Sequence, residues 1–414
     1  MNPVLNLLND AASRFGTAPL LKDGPSFAQA AEAVRDGPDS VEAGHRVGLL
    51  APEDAAGILR MLTLLRDGCT VVLLGRREPP GRLAALEQRW GLGTRRSTGP
   101  RIVVLTSGTT GEPKGVVHTL GSLMASARGA AGFLEFGPGS HWPVTLPTHH
   151  VGGLAVLFRC LAAGGSMSFP ADPRALEPIA REATHVSLVS TQLRRLLDGW
   201  VGPPPPALKR ILLGGSAIPR DLCRRASQAG WSIVLSYGMS EMGSLVTAGE
   251  VGACLGSGRV LPGRRLRLDG TGEIHVGGDA LFEGYLDGAP AGEWHPTGDL
   301  GVLENGALLV TGRRDNMFIS GGENIQPERI EAVLLQADGV RNAIVVPVES
   351  REFGFRPVAF VEGETAGIEA AFAASLPRFM HPVAVLQWPL EDEGMKPSRV
   401  RLATTAQERL GTLA

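Results

Sequence analysis

Arg101-Ile102-Val103-Val104-Leu105-Thr106-Ser107-Gly108-Thr109-Thr110-Gly111-Glu112-Pro113-Lys114-Gly115 runs from a short apolar, β-branched strand into a loop dense in glycine and hydroxyl residues. Gly108, Gly111 and Gly115 let the backbone approach an anion closely. Thr106, Ser107, Thr109 and Thr110 add hydroxyl donors and Lys114 adds charge, so the stretch predicts a phosphate cradle. It is not a Walker A loop, because the G-x-x-x-x-G-K-[ST] spacing fails and Pro113 precedes the lysine. Upstream, Val47-Gly48-Leu49-Leu50 and Thr70-Val71-Val72-Leu73-Leu74 read as further strands, with helical spacing from Ala55 to Arg66 between them. The alternation predicts α/β layering with largely parallel strands.

Downstream, the four prolines Pro203 to Pro206 link into another strand, Arg210 to Leu213. From Arg264 the pattern changes to short strands and glycine-rich turns, which predicts a small β-rich subdomain. After Gly312-Arg313-Arg314-Asp315 comes a compact α+β pattern. It comprises a helix from Pro327 to Leu335, strands Asn342 to Val348 and Arg356 to Val361, a helix Ile368 to Leu376, and a strand Val383 to Leu386. The expected class is therefore α/β: a large N-terminal domain of layered α/β subdomains over residues 1–314, and a small α+β C-terminal domain over 315–414.

Composition narrows the function. The 414 residues carry 40 Lys+Arg against 42 Asp+Glu, a net of −2 without a basic stripe, which excludes a general nucleic-acid binder. No run of 18 apolar residues predicts a membrane span, and the first residues lack a secretory pattern, so the expected compartment is the cytoplasm. Cys69, Cys160, Cys223 and Cys254 show no CxxC spacing and read as small buried hydrophobes. No HxxxH spacing calls for zinc. Only Lys22, Lys114, Lys209 and Lys396 are lysines, so 36 of the 40 basic residues are arginine. In a chain that writes arginine so freely, a retained lysine marks a place for a compact ammonium.

The phosphate loop resembles that of the adenylate-forming superfamily of acyl- and aryl-CoA synthetases, adenylation domains and luciferases, and further matches follow in the family's order. Ser236-Tyr237-Gly238-Met239-Ser240-Glu241 resembles the motif whose aromatic stacks on adenine and whose Glu binds Mg²⁺, with Ser240 in place of the usual Thr. Thr297-Gly298-Asp299 and Arg313 match the groups on the ribose hydroxyls, and Asp315 matches the hinge of a mobile C-terminal domain. Gly321 and Gly322, in Ser320-Gly321-Gly322-Glu323-Asn324-Ile325, match the loop bordering the pantetheine tunnel. Gly394-Met395-Lys396-Pro397-Ser398-Arg399 matches the catalytic-lysine motif, with Met395 where Gly is usual. The resemblance spans residues 45–400 and implies ATP, Mg²⁺ and CoA as reactants or cofactors. Lys114, Glu241 and Lys396 would handle phosphate charge, and Gly215 and Ser216 would border the nucleotide. The residue types suit the chemistry: an anionic carboxylate attacking the α-phosphate of ATP needs charge neutralised, and needs no side-chain nucleophile.

Thr184 to Leu193, Leu212 to Pro219 and Glu352 to Ala359 resemble the o-succinylbenzoate-specific ligases of menaquinone biosynthesis. That acid has a second carboxylate needing a cation or several donors once buried. A helix from Ser187 to Leu197 sets Thr191 and Arg195 at i and i+4, on one face that could meet it, although solvation alone also accounts for Arg195. His150 matches the position gating the acyl pocket, Gly214 borders the acid, and His149 reads equally as a packed core residue. Another aryl or acyl acid, a carrier-loading adenylation enzyme and a non-catalytic acyl-adenylate binder remain open readings, as does a homo-oligomer.

Overall fold

The central strand Thr70–Leu74 is buried along its whole length, as an apolar run covered on both faces must be. Its side chains alternate: Val71 and Leu73 join the main core with helices Pro3–Phe15, Phe27–Asp36 and Ala55–Arg66, while Val72 and Leu74 pack on Leu86 and Trp90. A computed structural model describes residues 2–38, 44–76, 78–96, 99–107, 113–215, 218–252, 256–337, 339–365, 367–389 and 398–413. Gly108, Thr109, Thr110, Gly111, Ser216, Cys254 and Lys396 lie outside the described residues.

The strands and helices expected from the sequence are found, except that the helix expected from Ser187 starts later, and the sheets are mixed rather than largely parallel. In the first, His45–Leu50, Thr70–Leu74 and Arg101–Ser107 run parallel, and Thr94–Arg95, Pro113–Thr119 and Gly284–Tyr285 complete it antiparallel. The cause is connection length: only residues 108–112 separate Ser107 from Pro113, too few for the crossover a parallel pair requires. The second sheet repeats the pattern, with His185–Leu188, Arg210–Leu213 and Ile233–Met239 parallel, and Ser244–Glu250 and Arg259–Val260 antiparallel. A third, wholly antiparallel sheet of Arg265–Leu268, Glu273–Gly277, Trp294–Glu304 and Ala307–Arg313 is the expected β-rich part.

Past Asp315, the long hairpin Val340–Ser350 and Gly354–Gly363 carries two cores. One face packs on helices Pro327–Leu334 and Ile368–Ser375, the other on Arg399–Leu410. Arg399 enters between them and is held by Glu331, with Nη1 to Oε1 at 2.5 Å and Nη2 to Oε2 at 2.8 Å. Burial pushes the Glu331 carboxyl up, against the pull of Arg399 and of the Val345 amide. A buried pair is costly to break from one side. Glu331→Gln is therefore expected to lower stability by about 3 kcal/mol, read by urea denaturation; an unchanged midpoint would contradict this.

Among the described residues no helix is long and apolar enough to cross a membrane. Cys69, Cys160 and Cys223 are buried free thiols.

Candidate active site

Lys114 is the second residue of strand Pro113–Thr119, opposite Thr106, and its side chain is exposed. Its Nζ lies 5.3 Å from the centroid of the Tyr285 ring. The strand Gly284–Tyr285 pairs with the lysine strand, so the register of that edge brings the two together. The Tyr285 phenol donates to Glu241 Oε1 at 2.8 Å. Burial and the adjoining carboxylate push the phenol's pKa up, which keeps it protonated and a donor. His295 packs edge-on against Phe282 at 5.0 Å, and burial lowers its pKa, with Glu241 opposing.

Glu241 sits on the short turn Ser240–Met242 between two strands and is itself nearly buried. Buried side chains hold that turn and the start of the strand that follows it. His118 Nε2 meets Ser240 O at 2.7 Å, Ser126 Oγ donates to Gly243 O at 2.9 Å, Arg159 donates to Ser244 Oγ at 3.1 Å, and Arg264 Nε donates to Leu245 O at 2.8 Å. Burial pushes His118 down to about 4. The folded state thus favours the neutral ring: its contribution is complete above about pH 6.5 and is lost as pH falls toward 4. At pH 5 this amounts to about 2 kcal/mol. Urea denaturation of a His118→Gln variant should accordingly show a weaker loss of stability between pH 7.5 and pH 5 than the parent chain; parallel losses would contradict it.

The ribose-motif residues also meet. The Tyr237 hydroxyl donates to Asp299 Oδ2 at 2.7 Å, and Arg313 Nη1 donates to Asp299 Oδ1 at 2.9 Å. Arg313 Nη2 stands 3.8 Å from Asp315. Gly298, at φ +73°, leaves the guanidinium its room: a Cβ there would lie 3.2 Å from Arg313 Nη2. Arg313 also acts electrostatically on Tyr285, which ties the ribose group to the Lys114–Glu241 group. Asp269, Glu273 and His275 cluster nearby, but Glu273 is spent on the Gly298 amide and Arg314, and Asp269 on Thr271. For a cation, the better donor is Glu241: its Oε2 has no partner among the described residues, and a carboxylate oxygen suits a hard divalent ion.

Of the residues expected to meet the acid, His150 is at the N-cap of the helix Val151–Ala163 and lies 4.3 Å, ring to ring, from His149. Desolvation lowers the pKa of His149, and its Nδ1 is buried without a partner. Gly214 follows the strand Arg210–Leu213, and a Cβ there would lie 2.6 Å from Ser236 Oγ; Gly215 has φ +85°. The helix carrying Thr191 and Arg195 begins at Ser190, not Ser187, because Ser187 and Leu188 belong to the strand His185–Leu188. Thr191 and Arg195 share an exposed helix face, and the neighbouring Arg194 donates to Arg341 O at 3.1 Å, beyond Asp315 in the chain. Gly321 and Gly322 form a tight turn at φ +56° and +87°, next to Phe353.

Tyr285 and His295 were not among the residues singled out in the sequence. The only local trace of Tyr285 is a Gly-Tyr pair in a glycine-rich region, and its partners are 44 and 171 positions away.

The family described as AMP-binding enzyme matches residues 95–286. The 2-succinylbenzoate–CoA ligase of Escherichia coli (strain K12) is 38% identical over 317 residues, covering 74% of this chain and 69% of that protein. The enzyme of the same name from Salmonella typhimurium is 40% identical over 309 residues, covering 72% and 67%. Among solved structures, a variant of E. coli MenE with bound OSB-AMS superposes with a TM-score of 0.83 at 30% identity, covering 97% of this chain and 98% of that one. Bacillus subtilis MenE in complex with the acyl-adenylate intermediate OSB-AMP gives 0.80 at 25% identity, covering 92% and 94%. The chain belongs to the AMP-binding enzymes, in the family of the 2-succinylbenzoate–CoA ligases.

Proposed function

We propose that the chain is an AMP-forming ligase that joins o-succinylbenzoate to CoA in menaquinone biosynthesis, through an acyl-adenylate. The observation that carries this reading is the single cluster in which Lys114 and Glu241 both rest on Tyr285, beside Tyr237, Asp299 and Arg313, in a chain of this family. In the first half-reaction the succinyl carboxylate attacks the α-phosphorus of ATP, forming acyl-AMP and releasing pyrophosphate. Lys114 and Lys396 neutralise phosphate charge, while Asp299 and Arg313 orient the ribose. Mg²⁺ held by Glu241 would supply further neutralisation of the phosphates. In the second, the CoA sulfur attacks the acyl carbonyl, the thiol proton leaves to solvent, and AMP departs.

The alternation of tasks is assigned to two domains, 1–314 and 315–414, hinged at Asp315, which exchange Lys396 for the Gly321–Gly322 turn. His150, Thr191, Arg195 and Gly214 are assigned to the acid side, and Arg195 to the benzoate carboxylate. ATP and CoA as substrates make the cytoplasm the working compartment. The test is pyrophosphate release with ATP and Mg²⁺. It should depend on o-succinylbenzoate before any CoA is added, and release indifferent to that acid would overturn the reading.

A further inference from the structure

Tyr285 touches the two charged groups of the site by different parts of one side chain. Its ring carries the Lys114 ammonium, with Nζ 5.3 Å from the centroid, and its hydroxyl donates to Glu241 Oε1 at 2.8 Å. The ring is fixed from outside by Phe282, edge-on at 5.0 Å, and the backbone by pairing with the lysine strand, Tyr285 opposite Val116. A lysine and a glutamate that share one neighbouring side chain are candidates for an ion pair, which would spend the ammonium needed by phosphate and the carboxylate needed by metal. No such pair within 4.0 Å joins them among the described residues. The aromatic side chain meets both, offering the cation a π face and the anion a hydrogen-bond donor.

We propose that Tyr285 is a positioning residue that keeps Lys114 and Glu241 apart and holds the Glu241 carboxylate with Oε1 occupied and Oε2 presented to the metal. The inference rests on the reading of Glu241 as the metal-binding carboxylate. It assigns to the phenol a part in metal affinity, and to the ring a part in keeping the lysine available to nucleotide.

The two parts separate in two variants. Tyr285→Phe keeps the ring and loses the hydroxyl. It should raise about tenfold the Mn²⁺ concentration that half-saturates the protein–ATP complex, followed by electron paramagnetic resonance of the bound ion, and raise the Mg²⁺ requirement of adenylation in parallel. Saturating Mg²⁺ should return kcat to within about twofold of the parent. Tyr285→Ala loses the spacer too, so its KM for ATP should rise about tenfold or more and stay raised at saturating Mg²⁺. Thermal unfolding of both variants separates these effects from loss of fold. The double variant with Glu241→Gln adds an independent readout: it should have the metal affinity of Glu241→Gln alone, since the phenol acts through that carboxylate. Additive losses of metal affinity would overturn the proposal, as would an unshifted Mn²⁺ affinity in a folded Tyr285→Phe. If Glu241→Gln itself leaves the metal affinity unchanged, the reading of Glu241 falls first and takes this inference with it.

Discussion

Lys396→Ala is expected to slow acyl-adenylate formation about 10²–10³-fold while leaving the transfer of supplied acyl-adenylate to CoA within about threefold of the parent. The division follows from where negative charge develops. In adenylation it builds on the phosphates as pyrophosphate departs, and an ammonium close to them is worth most there. In thioester formation it passes from the CoA sulfur through the acyl carbonyl to AMP, and the pyrophosphate is gone. Arg399, three residues on in the sequence from Lys396, is locked to Glu331 of the C-terminal core. The measurement is the two half-reactions run separately, pyrophosphate release without CoA and CoA consumption from synthetic acyl-adenylate. Equal losses in both would remove Lys396 from the role given to it.

Glu241→Gln should lower adenylation about 10²-fold and move the Mg²⁺ dependence to higher concentration. The amide keeps the size of the side chain and still accepts from the Tyr285 phenol through its carbonyl, so packing beneath the turn is undisturbed. Only the charge is lost. Because His118, Ser126 and Arg264 hold carbonyls of the turn and of the strand after it, Arg159 holds the Ser244 hydroxyl, and none of them holds the carboxylate, thermal unfolding should shift little. A large loss of stability with an unchanged metal requirement would make Glu241 a structural residue.

The sequence disclosed much of this and concealed the rest for identifiable reasons. Buried strands such as Thr70–Leu74 are legible because continuous apolar, β-branched runs have few other uses in a soluble α/β chain. The motif residues Lys114, Glu241, Tyr237, Asp299 and Arg313 could be picked out because their types match what phosphate, ribose and metal would require. What joins Lys114 to Glu241 could not. Tyr285 reaches both through a two-residue strand whose pairing partner precedes it by more than 160 positions, and no local pattern encodes that register. The antiparallel edges were missed because a period of two specifies a strand but not its direction. The start of the helix at Ser190 was missed because its N-cap is Val189, whose side chain cannot cap, so no local signal separates the strand His185–Leu188 from the helix that follows. Helix Arg399–Leu410 had its signal, Ser398 as N-cap and Leu402, Ala406 and Leu410 at four-residue spacing, but its arginines and polar residues obscured the stripe.

The identity of the acid decides the function. Incubation of the purified chain with ATP, Mg²⁺, CoA and an equimolar mixture of o-succinylbenzoate, benzoate and a medium-chain fatty acid, followed by mass spectrometry of the thioesters, tests it most directly. The account predicts o-succinylbenzoyl-CoA as the dominant product, with AMP formed in step. A dominant thioester of either other acid, or AMP formed without any thioester, would contradict it.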